Sequence, residues 1–283
     1  MKTYSKFGII PCMSKTKPES IYPGLWKALL LTILVGLIQF LITVSLPFFQ
    51  AFIGTQQSPS IITITITHSL SFSAVIAIGI LHGKLSIKKI IPLTVPGALQ
   101  LAALPFIVIG LHIALTLIST IVNNLYPMPD SFISTYSLLF SSKHLFISIV
   151  SLGILAPLLE EILFRGIILR GLLFRYGAYK AVIISAALFA FIHFNPWQAV
   201  PAFFAGLIFG FLYISSKSLT PCFIGHILFN SLPLITVGTM DNSSLETIVR
   251  ESQMQLEISN IMLPVFGALL LAAGLRMYLP QQS

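Results

Sequence analysis

Apolar positions along the 283-residue chain gather into long runs parted by short polar breaks. The runs are roughly Leu25 to Leu46, Ile61 to Leu81, Pro96 to Val122, Leu145 to Phe174, Ala181 to Phe194, Ala199 to Ile214, Leu219 to Val237 and Ile258 to Leu279. Several approach or exceed the ~20 residues that a helix needs to cross a bilayer. The pattern predicts an all-α, polytopic transmembrane bundle of about eight membrane helices. The fourth run is too long for one ordinary span. The fifth and sixth are short, and only "NPWQ" separates them. They fit either two tilted spans or a tight re-entrant hairpin. Residues 1–20 read as a polar cytoplasmic tail with no apolar core of the signal-peptide kind, and residues 21–283 as a single transmembrane domain.

Composition supports this class. Hydrophobic residues make up 56% and charged residues 8%, against about a quarter charged in soluble domains. The net charge of +8 does not signal nucleic acid, because the basic residues are scattered over short segments between apolar runs. Placing the first tail inside, with Lys2, Lys6, Lys15 and Lys17, puts Lys84, Lys88, Lys89, Arg175, Lys180, Lys217 and Arg276 inside as well. Lys143 and Arg250 fall outside, where a loop carries Asp241, Glu246, Glu251 and Glu257. This is the positive-inside bias; it predicts a multi-pass cell-membrane protein with both termini cytoplasmic. Cys12 and Cys222 are far apart and give no disulfide or metal spacing. "NSS" at Asn242 matches a glycosylation acceptor, a pattern common by chance.

Ionisable groups inside apolar helices cost about 2.5–3.5 kcal/mol each on insertion scales, and they mark functional sites by default. Runs four to seven hold Glu160, Glu161, Arg165, Arg170, His193, His226 and the amide Asn230. Glu161 and Arg165 are four apart, on one helix face, and can pair. Glu160 points about 100° away and need not share the arginine. Glu161 and Arg165 thus read as a supporting clamp, and Glu160 as the carboxylate that it holds. Pro157 removes a backbone donor just before them and invites a kink.

Depth links these groups. Glu160 lies about 22 Å along a helix from Arg175, His193 about 20 Å from Lys180, and His226 and Asn230 about 14 and 20 Å from Lys217. A carboxylate, two imidazoles and an amide at matched depth on three helices have the parts to activate water and bind an oxyanion. His68, His82, His112 and His144 read instead as interhelical hydrogen-bonding histidines. Ala202, Gly206 and Gly210 form a small-residue stripe that predicts close helix packing inside the bundle.

"EEILFR", "FAFIH" and "HILFN", in that order within apolar helices, resemble the motifs of the CAAX prenyl endopeptidase and bacteriocin-processing (abortive-infection) family of intramembrane glutamic proteases. The resemblance covers about residues 145–237. It implies Glu160 as general base with His193 assisting, His226 and Asn230 as the oxyanion site, and Glu161 and Arg165 in support. It further implies cleavage of a peptide or prenylated-protein substrate in the membrane lipid, without a cofactor. A second reading makes Glu160, His193 and His226 ligands of a zinc ion, whose preferences suit those residue types, although no His-Glu-x-x-His motif is present. A third is a non-catalytic scaffold, bacteriocin-immunity protein or proton-coupled transporter, for which the expected internal repeat is not visible.

Overall fold

The computed structural model describes residues 22–52, 60–238 and 259–279. The lysines of the first tail, Cys12, the acidic loop with Arg250 and Asn242, and the last residues lie outside them. The described chain is helical: α1 (Leu25–Phe52), α2 (Ile61–Gly83), α3 (Ile87–Ile90), α4 (Ala98–Leu125), α5 (Asp130–Phe140), α6 (Ser142–Leu173), α7 (Ala178–Phe191), α8 (Pro196–Ser216), α9 (Thr220–Gly238) and α10 (Ser259–Tyr278). Each apolar run becomes one of these helices. Five of them, α1, α2, α4, α6 and α8, are long and apolar enough to cross a membrane. At 14 residues, α7 spans about 21 Å, short of a full hydrocarbon crossing. Large side chains such as Trp26, Phe40, Phe48, Leu70 and Phe146 face outward, as lipid-facing surfaces require.

Two short helices carry no apolar run of their own. One is α3, a single turn that presents Lys88 and Lys89. The other is α5, whose 11 residues follow the loop after α4. There Phe132 lies against Trp197 at 4.8 Å, and the Trp197 indole N–H donates to the Tyr126 carbonyl at 2.6 Å. The first contact ties α5, and the second the loop before it, to the start of α8.

The long run is one helix of 32 residues, α6. It is not uniformly α. Ile149–Leu155 and Ile162–Leu169 are wound as π-helix, and the α segment Ala156–Glu161 sits between them with both glutamates at its end. Such π turns inside α-helices frequently mark functional sites. The expected disturbance at Pro157 takes this form rather than a simple kink. In the first π segment the Ala156 N–H reaches the Ser151 carbonyl, five residues back. The next bond in that register would run from residue 157 to Leu152, but proline has no N–H. The Asn230 amide of α9 donates to the Leu152 carbonyl instead, at 3.0 Å.

Close approach elsewhere depends on small residues. A Cβ on Gly206 would lie 2.9 Å from the Ala186 Cβ, and one on Gly210 would lie 2.9 Å from a Val182 methyl. The small-residue stripe of α8 therefore packs on α7 inside the bundle. In the same way, a Cβ on Gly110 or on Gly267 would strike the backbone across the α4–α10 contact.

Candidate active site

The central polar cluster is built mainly from α6 and α9. Arg165 Nη1 donates to Glu161 Oε1 at 2.9 Å, and the same oxygen accepts from His226 Nδ1 at 2.7 Å. A carboxylate oxygen only accepts here, so the proton of that second bond sits on Nδ1. His226 Nε2 then faces the neighbouring carboxylate, 3.6 Å from Glu160 Oε2. The result is a continuous chain, Glu160–His226–Glu161–Arg165, within the apolar bundle. Glu161 is 0% and Arg165 1% exposed.

The surroundings fix this chain in place. Arg165 Nη2 donates to the Gly206 carbonyl of α8 at 3.2 Å. Its guanidinium lies between the rings of Phe189 and Phe209, at 4.9 and 5.6 Å. Phe209 also stacks on His226 at 4.8 Å, and Phe189 meets His226 edge-on at 5.6 Å. The aromatics exclude water and offer π faces to the cation. The clamp is thus broader than the spacing predicts: besides its intrahelical partner, the arginine has a carbonyl and two rings from other helices.

His193 lies in the turn just past the end of α7, its ring edge-on to Phe189 at 5.3 Å. Its Nδ1 lies 3.0 Å from the Phe189 carbonyl. A carbonyl only accepts, so Nδ1 carries the proton and Nε2 is left for chemistry. The turn that follows is strained. Phe194 has φ 52°, in the left-handed region that bulky residues avoid. Asn195 stabilises the turn by donating from Nδ2 to the His193 carbonyl at 2.7 Å and accepting from the Gln198 N–H at 2.8 Å. An open, apolar cavity of about 670 Å³ adjoins this turn, lined by Ala187, Phe191, Phe194, Val200 and Phe203 among others.

Asn230 stands one turn after His226 on α9. Among the described residues, one of its amide hydrogens is engaged by Leu152, as described above, and the other has no partner. Arg170 lies near the C-terminal end of α6 with its guanidinium 5.7 Å from the Phe174 ring. Among the described residues, no three His, Cys, Asp or Glu side chains are grouped so as to hold a metal ion.

The histidines outside the motifs divide. His112 Nε2 contacts the Phe229 carbonyl at 2.8 Å, an interhelical hydrogen bond of the expected kind. His68 also has an interhelical bond, with Gln39 Nε2 3.4 Å from its Nδ1, but its Nε2 goes beyond that expectation and lies 3.3 Å from Glu160 Oε1. Nothing in the sequence around His68 signals this, because the contact joins helices 92 positions apart.

These features define a polytopic helical membrane protein with a buried acid–imidazole site. Residues 142–232 match the family model "Type II CAAX prenyl endopeptidase Rce1-like", so the resemblance carried by the three motifs stands. The chain is also similar to the "Membrane-embedded CAAX protease MroQ" of Staphylococcus aureus (strain USA300), 28% identical over 227 residues, 75% of this chain and 89% of that protein. It is 30% identical to the "Putative membrane peptidase YdiL" of Bacillus subtilis (strain 168) over 115 residues, 41% of this chain and 46% of that protein. No solved structure matches. Together the matches support a membrane protease.

Proposed function

We propose that the chain is an intramembrane endopeptidase in which Glu160 is the general base. Glu160 takes a proton from water, and the resulting hydroxide adds to the scissile carbonyl carbon. The oxyanion so formed accepts from His226 Nε2–H and from the second amide hydrogen of Asn230. His226 acts here as an imidazolium throughout, and its charge with that of Arg165 matches Glu161 and the negative charge that passes from Glu160 to the oxyanion. Collapse of the intermediate breaks the C–N bond, and the leaving amine takes the proton held by Glu160, with His193 Nε2 assisting the transfer. Glu161 and Arg165 hold His226 in place.

The observation that carries this reading is the continuous buried chain from Glu160 through His226 and Glu161 to Arg165, inside the segment that matches the family model. The apolar cavity beside the His193–Asn195 turn suits the apolar flank of a lipid-modified or membrane-embedded peptide. On this reading the substrate comes from the membrane, and the basic ends of the helices face the cytoplasm. The test is hydrolysis of a quenched peptide bearing a farnesylated cysteine, and of an unmodified membrane-tail peptide library, by purified full-length protein. Glu160→Gln should lower turnover by about 10²–10⁴-fold with little change in apparent binding. A folded wild-type protein that cleaves no peptide would favour a scaffold instead.

A further inference from the structure

His68 lies on α2, outside the three motifs and outside the matched segment 142–232. Its Nε2 nevertheless stands 3.3 Å from Glu160 Oε1. Behind it, the Gln39 amide nitrogen of α1 approaches Nδ1 at 3.4 Å. An amide NH₂ can only donate, so Nδ1 accepts and the ring proton belongs on Nε2, the atom that faces the carboxylate. Phe72, one turn further along α2, stacks on the ring at 4.4 Å with the planes 27° apart. Ring plane and tautomer are therefore both set from behind. The 3.3 Å contact lies off the line of a full hydrogen bond, and Nε2 has no other hydrogen-bond partner among the described residues. Its proton is left to face Glu160.

The two oxygens of Glu160 are thereby made unequal. Oε1 faces His68 on α2, and Oε2 faces His226 on α9. The other charged or titratable groups around them are Glu161 and Arg165 on α6 and His193 in the turn after α7. The His68 side chain is 22% exposed against 8% for Glu160, so His68 stands on the open side of the carboxylate.

We propose that His68 is a positioning residue for the hydrolysis: its Nε2–H holds Oε1 of Glu160 and leaves Oε2, beside His226, as the oxygen that takes the proton from water. The inference rests on Glu160 being the base. A donor to a carboxylate is a charge-assisted bond, and one that fixes the base should act on turnover.

The experiment compares wild type, His68→Phe, His68→Gln and Glu160→Gln as full-length proteins, using the farnesylated quenched peptide and the membrane-tail library as probes. His68→Phe keeps a ring to stack on Phe72 but has no donor. It should lose about 10–100-fold in kcat, the range expected for losing a hydrogen bond to a charged group, with KM little changed. His68→Gln offers an amide N–H near the position of Nε2 and should recover most of that loss. The inference alone fails if Glu160→Gln is inert while His68→Phe turns over like wild type, or if His68→Gln is no better than His68→Phe. If Glu160→Gln is fully active, or wild type cleaves nothing, the underlying reading fails and this one with it.

Discussion

Arg165 is the largest fully buried side chain among the described residues, and its environment decides what its loss would do. A buried ion pair contributes little net stability relative to apolar replacements, but breaking one by removing a single partner costs about 3–5 kcal/mol. Arg165→Ala strands Glu161 and also frees the Gly206 carbonyl. Glu161→Ala strands Arg165 and removes the acceptor of His226 Nδ1. Both variants should therefore melt well below wild type in detergent, whereas Glu160→Gln should melt close to it. Wild-type melting of Arg165→Ala would overturn the clamp. Arg165→Lys should rescue little, because one ammonium cannot reproduce the planar fork that reaches both the Glu161 carboxylate and the Gly206 carbonyl. The pairing of Glu161 with Arg165 was legible in the sequence, since a four-residue spacing on a helix puts two side chains together. The roles of Phe189, Phe209 and His68 were not, because each depends on how distant helices dock, and local spacing carries no record of that.

The helix α6 shows where pattern reading stops. Its length was legible, and so was a disturbance near Pro157. The two π segments were not. A run that is apolar on every side has no polar stripe from which to read angular position, so α and π windings look alike in it. The 11-residue α5 was missed for a related reason: its polar and apolar residues are too mixed to form a run. The bond from Asn230 to Leu152 predicts a specific coupling. Asn230→Ala leaves the half-buried Leu152 carbonyl without this donor, which should cost about 1–3 kcal/mol. Pro157→Ala restores an N–H at the position where the π register needs one. In that background the cost of Asn230→Ala should fall below about 1 kcal/mol, while lost peptidase activity should not return. Full recovery of activity in the double variant would mean that Asn230 acts only through the backbone of α6. At the α7–α8 contact, Gly206→Ala should cost about 1–3 kcal/mol by overpacking against Ala186. Thermal melts check both predictions.

Across the molecule, hydropathy and charge sufficed to predict the number of apolar helices, because lipid forces each span to satisfy its own backbone. The three motifs pointed to α6 and α9, which carry the Glu160–His226–Glu161–Arg165 chain, but not to α2, which brings His68 to Glu160. Water-activating chemistry by a carboxylate and imidazoles predicts that a zinc chelator leaves peptide hydrolysis intact and that purified protein holds less than stoichiometric metal. Zinc at one equivalent, removed together with activity and restored with it, would reverse that assignment. The winding of α6 also bears on how this molecule can change. Each residue of an α-helix turns its successor by about 100°, and a π turn holds one residue more than an α turn. Deleting one residue within Ile149–Leu155 would thus let that segment rewind as α-helix, and Ser142–Ser148 would keep nearly the same heading relative to Glu160 and Glu161. The first π segment of α6 holds one spare residue, so a single deletion there can be absorbed while the carboxylate pair stays on target.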